Sequence, residues 1–295
     1  MGKIVLYLMM KKGFAAFSQA IEIDREIIDF IVIDKDANVD NDFSKEITEL
    51  AVKSRIRFYI RGEEPEVDRN TYILAISWRW MINHPAQRLI IFHDSLLPKY
   101  KGFAPLVNML INGGKKIGVS AIFGAEEYDR GDLIAQNFSN IQYPITISEA
   151  IDINIKNLNR LVKEVISNIS SEENLIGTSQ REHEATYSIW RDDDDYRIDW
   201  GKSADEIKRL IDAVGTPYLG ARTSTCNAET IRIIAAEVVN DVKCEMRHVG
   251  KVLFIREGLP TVICGRGLLQ INEAYYDKSA NKSYLPLKSF RVRFL

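Results

Sequence analysis

Two polar clusters in this 295-residue chain carry side chains able to move protons. The first runs His93-Asp94-Ser95-Leu96-Leu97-Pro98-Lys99-Tyr100-Lys101-Gly102-Phe103-Ala104-Pro105. It sets an imidazole, a carboxylate and a hydroxyl on a segment rich in turn residues. The second is Glu126-Glu127-Tyr128-Asp129-Arg130-Gly131-Asp132. A histidine and an acid that meet across a crevice can perform general acid–base work or stabilise an oxyanion. Each residue alone has a plainer reading. His93 by itself reads as a satisfied structural histidine, Asp94 and Ser95 as a turn or helix cap, and Lys99 and Lys101 as exposed charges.

The surrounding elements decide whether the clusters meet. Strand-like apolar runs fall at Lys3–Leu8, Ile27–Ile33, Ile56–Ile60, Tyr72–Ser77, Arg88–Phe92 and Gly118–Phe123. Segments with helical spacing, such as Ala15–Glu22 and Ser44–Lys53, lie between them. Continuous rather than alternating apolar strands predict an α/β fold with a doubly wound, mostly parallel sheet covered on both faces. Both clusters then sit at strand ends, where open α/β sheets place their ligand sites. Ala104–Ile111 reads as a helix opened by Pro105 and closed by Asn112-Gly113-Gly114. A longer helical pattern runs from Ile147 to about Ile169. The composition turns polar from Ser170 to Glu184. Beyond it, a helix over Ala204–Ala213 precedes strands at Thr230–Val239, Val252–Ile255, Thr261–Cys264 and Leu268–Ala274, which suggests a small β-rich, OB-like barrel. The expected organisation is a catalytic domain over 1–180, the OB-like domain over 181–276 and a tail over 277–295.

Composition removes several classes. The chain is 46% hydrophobic and 27% charged, which suits a globular protein and disfavours wholesale disorder. With 39 basic and 41 acidic residues, no case for polyanion binding rests on net charge. Cys226, Cys244 and Cys264 are widely spaced without a CxxC pair, which predicts a reduced compartment and inert positions in or near strands. The four histidines form no ligand pair with cysteine or with each other, so no metal is expected. No apolar run approaches the roughly 20 residues that span a bilayer. A soluble, cytoplasmic protein without membrane contact is the expectation. Trp78, Trp80, Trp190 and Trp200 read as packing residues.

His93-x-Ser95-Leu96-Leu97-Pro98, followed by Asp129-x-Gly131, resembles the motif of the folate-dependent formyltransferases. Their usual form is Asn-x-His-x-Ser-Leu-Leu-Pro and then Asp-x-Gly, and the separation of 36 residues between His93 and Asp129 is similar. Asp199-Trp200-x-Lys202-Ser203-Ala204-x-Glu206-Ile207 and Pro217-Tyr218-Leu219-Gly220-Ala221 look like the carboxy-terminal domain shared by methionyl-tRNA formyltransferases and some sugar formyltransferases. The resemblance covers most of residues 70–275.

The resemblance implies formyl transfer from N10-formyltetrahydrofolate to a primary amine, with His93 and Asp129 as catalytic residues. It places Arg79, Trp80, Ile90, Ile91, Glu126, Tyr128 and Asp129 around the folate. Asp94, Ser95, Lys99, Tyr100 and Lys101 fall to the substrate. One departure stands out: the family's asparagine belongs at position 91, where this chain has Ile91. Loss of one donor to an oxyanion lowers a rate by about 10²–10³ when nothing replaces it. Three readings stay open here. Asp94, Ser95 or a backbone N–H substitutes; the chemistry leans on His93 alone; or the scaffold binds folate or a sugar nucleotide without turnover.

The acceptor divides two readings. Residues 200–295 hold 15 basic and 10 acidic residues, against 24 and 31 in the remainder. That modest bias keeps tRNA open, but no dense basic patch marks a tRNA surface. The start Lys3-Ile4-Val5-Leu6-Tyr7-Leu8 also lacks the Gly-Thr-Pro turn common in the tRNA enzymes. The amine of a nucleotide-linked deoxyamino sugar is favoured as acceptor, in surface-polysaccharide or glycan biosynthesis. A homodimer is left open.

Overall fold

The structure is a computed structural model and describes residues 2–37, 39, 41–277 and 279–295. Its contacts divide the chain into two units. One comprises the chain up to Leu106 together with Lys115–Ile141 and Ala150–Ile189; the other comprises Val107–Gly114, Gln142–Glu149 and Trp190–Leu295. The sequence boundary at 180 is therefore not where the contacts divide.

The first unit is built on apolar runs that become strands: β1 (Ile4–Leu8), β2 (Ile28–Ile33), β3 (Arg57–Ile60), β4 (Tyr72–Ile76) and β5 (Leu89–His93). After a two-residue strand, β6 (Lys101–Gly102), come β7 (Lys116–Phe123) and β8 (Leu133–Asn140). The sheet order is β3-β2-β1-β4-β5-β7-β8, with β7 and β8 antiparallel to their neighbours and the rest parallel. The β8 sequence LIAQNFSN alternates partly covered and exposed residues because it is an edge strand, and so lacks the apolar run that marked the others. Two further residues, β9 (Tyr187–Ser188), pair with β6.

The two faces of this sheet are covered differently. One face presents Ile4, Leu6, Leu8, Ile31, Ile33, Ile90 and Phe92. It packs against apolar stripes of α1 (Met10–Asp24), α2 (Ser44–Lys53) and the long α4 (Ile147–Ser170), which follows α3 (Pro105–Ile111) in the chain. On α4 the stripe is Leu158, Leu161, Val162, Val165, Ile166 and Ile169. The other face, with Val5, Tyr7, Phe30, Val32, Ile73, Ala75 and Leu89, packs against Tyr59, Val67, Trp78, Ile82 and Ile91. Of these, Val67, Trp78 and Ile82 come from the loops on either side of β4, so this is the loop-covered face.

The second unit contains α5 (Ala204–Val214), opened by a capping box in which Ser203 and Glu206 satisfy each other's backbone N–H. Its antiparallel sheet runs β10 (Ala221–Ser224), β11 (Thr230–Val239), β14 (Leu268–Tyr276), β13 (Leu259–Ile263) and β12 (Val252–Arg256), with β15 (Ser279–Ser283) beside β14. The stretch set apart as a tail in the sequence supplies β15 to this sheet. Beyond β15, Phe294 bridges Thr225 at the end of β10, and Arg293 bridges Lys251 before β12. Trp200 donates its indole N–H to Thr223 and lies against Phe294, as the packing reading expected. Of the cysteines only Cys264 is buried; Cys226 is exposed and Cys244 half-buried. No described helix is long and apolar enough to cross a membrane.

Candidate active site

His93 closes β5, in register with Ser120 of β7. Side chains alternate along a strand, so His93 shares a face with Leu89 and Ile91, on the loop-covered side. The turn that follows is stapled to the sheet by the Ser120 hydroxyl. That hydroxyl donates to the Ser95 carbonyl at 2.6 Å. It accepts from the Leu97 N–H at 3.0 Å and from Gln136 Nε2 at 2.7 Å. Ser95 Oγ in turn donates to the Lys99 carbonyl at 2.6 Å.

Asp129 reaches His93 from the loop after β7. Its backbone is left-handed, with φ 57°. The carbonyls of Asp129 and Gly131 both accept from Gln180 Nε2 at 2.8 Å. Gly131 is dictated by space: a Cβ there would lie 1.7 Å from the Phe123 carbonyl oxygen. The Asp-x-Gly pattern has a physical cause, because only glycine lets the loop pass that carbonyl and turn Asp129 inward.

The pair is buried, with side-chain exposures of 8% for His93 and 10% for Asp129. His93 Nδ1 stands 3.2 Å from Asp129 Oδ1, and Nε2 donates to the Tyr100 carbonyl at 2.8 Å. Asp129 Oδ2 accepts from the Gly102 N–H at 2.7 Å. Burial, the largest influence on His93, disfavours its charged form. The Asp129 hydrogen bond and charge, the Tyr100 carbonyl and the Asp94 charge outweigh burial and hold the imidazole above its ordinary 6.5. For Asp129 burial again acts first, upward, but His93, the Gly102 N–H and Lys101 hold the carboxyl below its ordinary 3.8. Each partner favours the charged form of the other, an arrangement suited to steadying a developing oxyanion and to receiving a proton.

A short strap holds the loop that carries Tyr100. The Tyr100 N–H donates to Thr186 Oγ1 and the Lys101 N–H to the Thr186 carbonyl, both at 2.9 Å, while the Phe103 N–H donates to the Ser188 carbonyl at 3.0 Å. Gly102, at φ 94°, lies so close to the strap that a Cβ would come within 2.5 Å of the Ser188 carbonyl oxygen.

The other residues singled out in the sequence fall in several places. Asp94 pairs with Lys12, and Lys101 pairs with Glu182 at 2.6 Å although it is only 1% exposed. Lys99 is exposed. Arg79 pairs with Asp36. Trp80 meets Trp78 edge-on at 5.4 Å, and the Arg61 guanidinium sits 4.2 Å over its ring. Trp80 lines a cleft of about 540 Å³ with Tyr7, Arg61, Trp78 and Ile82, and neither His93 nor Asp129 borders it. Ile90 is buried on the helix-covered face, and Ile91 packs on the loop-covered face. Glu126 and Tyr128 are exposed, with Phe103 and Tyr128 in ring contact at 6.1 Å. Sequence reasoning missed Gln180, in the polar stretch from Ser170 to Glu184, and Thr186 and Ser188, just beyond it. Their partners are far away in the chain, so no local pattern marks them. Among the described residues no group of three His, Cys, Asp or Glu side chains is placed to hold a metal.

The fold and the pair define an α/β protein with a buried histidine–aspartate couple, the histidine closing a central strand and the aspartate on a neighbouring loop. The chain matches the formyl transferase family over residues 70–167 and the formyl transferase C-terminal domain over 191–290. It is 30% identical over 244 residues to the methionyl-tRNA formyltransferase of Clostridium novyi, covering 78% of this chain and 77% of that one. It is 29% identical over 193 residues to the same enzyme of Alkaliphilus oremlandii, covering 65% of this chain but only 60% of that relative's length. The crystal structure of an N-formyltransferase from Helicobacter canadensis, in complex with folinic acid and dTDP-3-aminofucose, superposes with a TM-score of 0.69 at 17% identity, over 92% of this chain and 99% of that one. At that identity the superposition shows a shared fold. The protein belongs to the formyltransferase family.

Proposed function

We propose that the chain transfers the formyl group of N10-formyltetrahydrofolate to the primary amine of a nucleotide-linked deoxyamino sugar. The observation that carries this reading is the His93–Asp129 pair, whose partners pull the two protonation equilibria in opposite directions. In such a transfer the amine nitrogen bonds to the formyl carbon, the carbon–N10 bond breaks, and one amine proton ends on N10. The donor set fits: an imidazolium faces the charge that develops on the formyl oxygen, and a carboxylate takes the amine proton. Asp94 and Ser95 are committed to Lys12 and to the Lys99 carbonyl. With Ile91 apolar, the side chain left to steady the oxygen is His93, whose Nε2–H turns from the Tyr100 carbonyl to reach it. Ile90 is sealed on the helix-covered face, and Trp80 lines a cleft that the pair does not border, so we place the folate along Ile91, Glu126, Tyr128 and Asp129, and the acceptor approaches the 94–101 loop.

The amino-sugar acceptor draws support from the Helicobacter canadensis neighbour, whose complex holds a dTDP-linked amino sugar. The two sequence relatives named above favour a second reading, methionyl-tRNA as acceptor. The experiment offers N10-formyltetrahydrofolate together with nucleotide-linked amino sugars or charged methionyl initiator tRNA, and follows tetrahydrofolate release and product mass. A formylated sugar, lost in His93→Ala and Asp129→Ala, supports the first reading. Formylated tRNA with silent sugars overturns it, and folate binding without turnover on any acceptor leaves a binding protein.

A further inference from the structure

Asp94 follows His93 directly, but its side chain leaves the strand end toward the opposite, helix-covered face. There Lys12, in the first turn of α1, meets it at 2.5 Å, and Asn154 of α4 donates to its other oxygen at 3.4 Å. Lys12 is buried, and the Asp94 side chain is 25% exposed. The chain of bonds continues inward. Asn157 donates to Asn154 Oδ1 at 3.4 Å, and Ser139 of β8 donates to Asn157 Oδ1 at 2.9 Å. Both asparagines are fully buried. Desolvating two ions offsets most of their attraction, so a buried ion pair is poor evidence of a purely stabilising role.

We propose that the Lys12–Asp94 pair is a positioning device for His93. Held by α1 and α4, Asp94 fixes the strand end that carries the imidazole and keeps a negative charge behind it. Lys12 sets how much of that charge the ring feels. This rests on the reading of His93 as the group beside the developing oxyanion. Where the family has an amide donor this chain has Ile91, so the ring's positive charge carries the load and a second carboxylate sustains it. His93 meets Asp129 from the loop after β7 and the Tyr100 carbonyl through its two ring nitrogens; the neutral Ser120 on β7 stands opposite it in register, and Asp94 follows it in the chain with its side chain turned to the other face. Lys101 acts on Asp129, and Lys12 acts on Asp94. The charge of Asp94 is among the influences that raise the His93 equilibrium.

The test is an NMR titration of His93 in the full chain, for wild type, Asp94→Asn, Lys12→Met and Lys12→Arg. Asp94→Asn lowers the His93 midpoint by about half a pH unit or more. Lys12→Met raises it, because the Asp94 charge is no longer balanced, and Lys12→Arg restores it. In formyl transfer the pH limb of kcat moves with the midpoint, while KM for the amine stays put. An unmoved midpoint in Asp94→Asn overturns the proposal, and so do shifts of the same sign in Asp94→Asn and Lys12→Met. Should Lys12→Met fail to fold, the near-isosteric Asp94→Asn decides alone. Opposite shifts without formyl transfer in any protein uphold the positioning role and overturn the proposed reaction; transfer with unmoved midpoints does the reverse.

Discussion

The two faces of β5 differ more than their sequences suggest. Ile90 and Phe92 look toward α1, α2 and α4 and are sealed in a continuous apolar core. Ile91 and His93 look the other way, toward loops carrying Trp78, Ile82 and Asp129. Helices close a surface because their backbone groups are satisfied internally, and side chains fill the rest. Loops leave backbone carbonyls and N–H groups available, and His93 uses one carbonyl while Asp129 uses one N–H. The proposed chemistry falls on the loop-covered face, and the helix-covered face supplies rigidity.

The largest effect is expected on the loop-covered face. His93→Ala or Asp129→Asn lowers formyl-transfer kcat on the order of 10³, alongside the loss of stability that follows from leaving one partner of a buried pair alone. A loss below tenfold in steady-state assays breaks the comparison at its centre. Gly131→Ala comes next. It drives a methyl into the Phe123 carbonyl and destabilises the fold by about 3 kcal/mol in denaturant melts, with Asp129 displaced. Ile91→Asn buries an amide among apolar side chains and lowers stability by about 1–2 kcal/mol. On the proposed mechanism its transfer rate does not rise, since His93 alone steadies the oxygen; a gain of tenfold or more shows that the apolar position is merely decayed.

The smallest effect is in the pH dependence of stability. His93 titrates above 6.5 in the folded chain, so its contribution is complete below 6.5 and fades as pH rises through the raised value. Asp129 titrates below 3.8, so its contribution is complete above 3.8 and fades as pH falls through the lowered value. Both are present between 3.8 and 6.5. Urea melts across pH show the alkaline loss in wild type and a flatter curve in Asp129→Asn.

Much of this was legible before the coordinates. The strands β1, β2, β4 and β5 announced themselves as unbroken apolar runs, because a central parallel strand is buried on both sides. The pairing of His93 with Asp129 was legible from motif resemblance, not from periodicity. The edge strand β8 was not, since one side of it meets solvent. Nor was the pairing of β15 with β14 in the second sheet, beyond which Tyr284 and Phe294 are buried. Lys12 and Asp94 lie 82 residues apart, and no local pattern relates them. Such pairs are set by which helix crosses which strand end.

The Ser120 hydroxyl has one proton and two lone pairs, and the chain uses all three. The turn behind His93 is therefore ordered as part of folding and not by arriving ligands. Each encounter with substrate is spared the entropy of arranging that turn. The amide of Leu97 should accordingly exchange its hydrogen as slowly in the free protein as in any complex, a memory of the reaction geometry kept by the resting molecule.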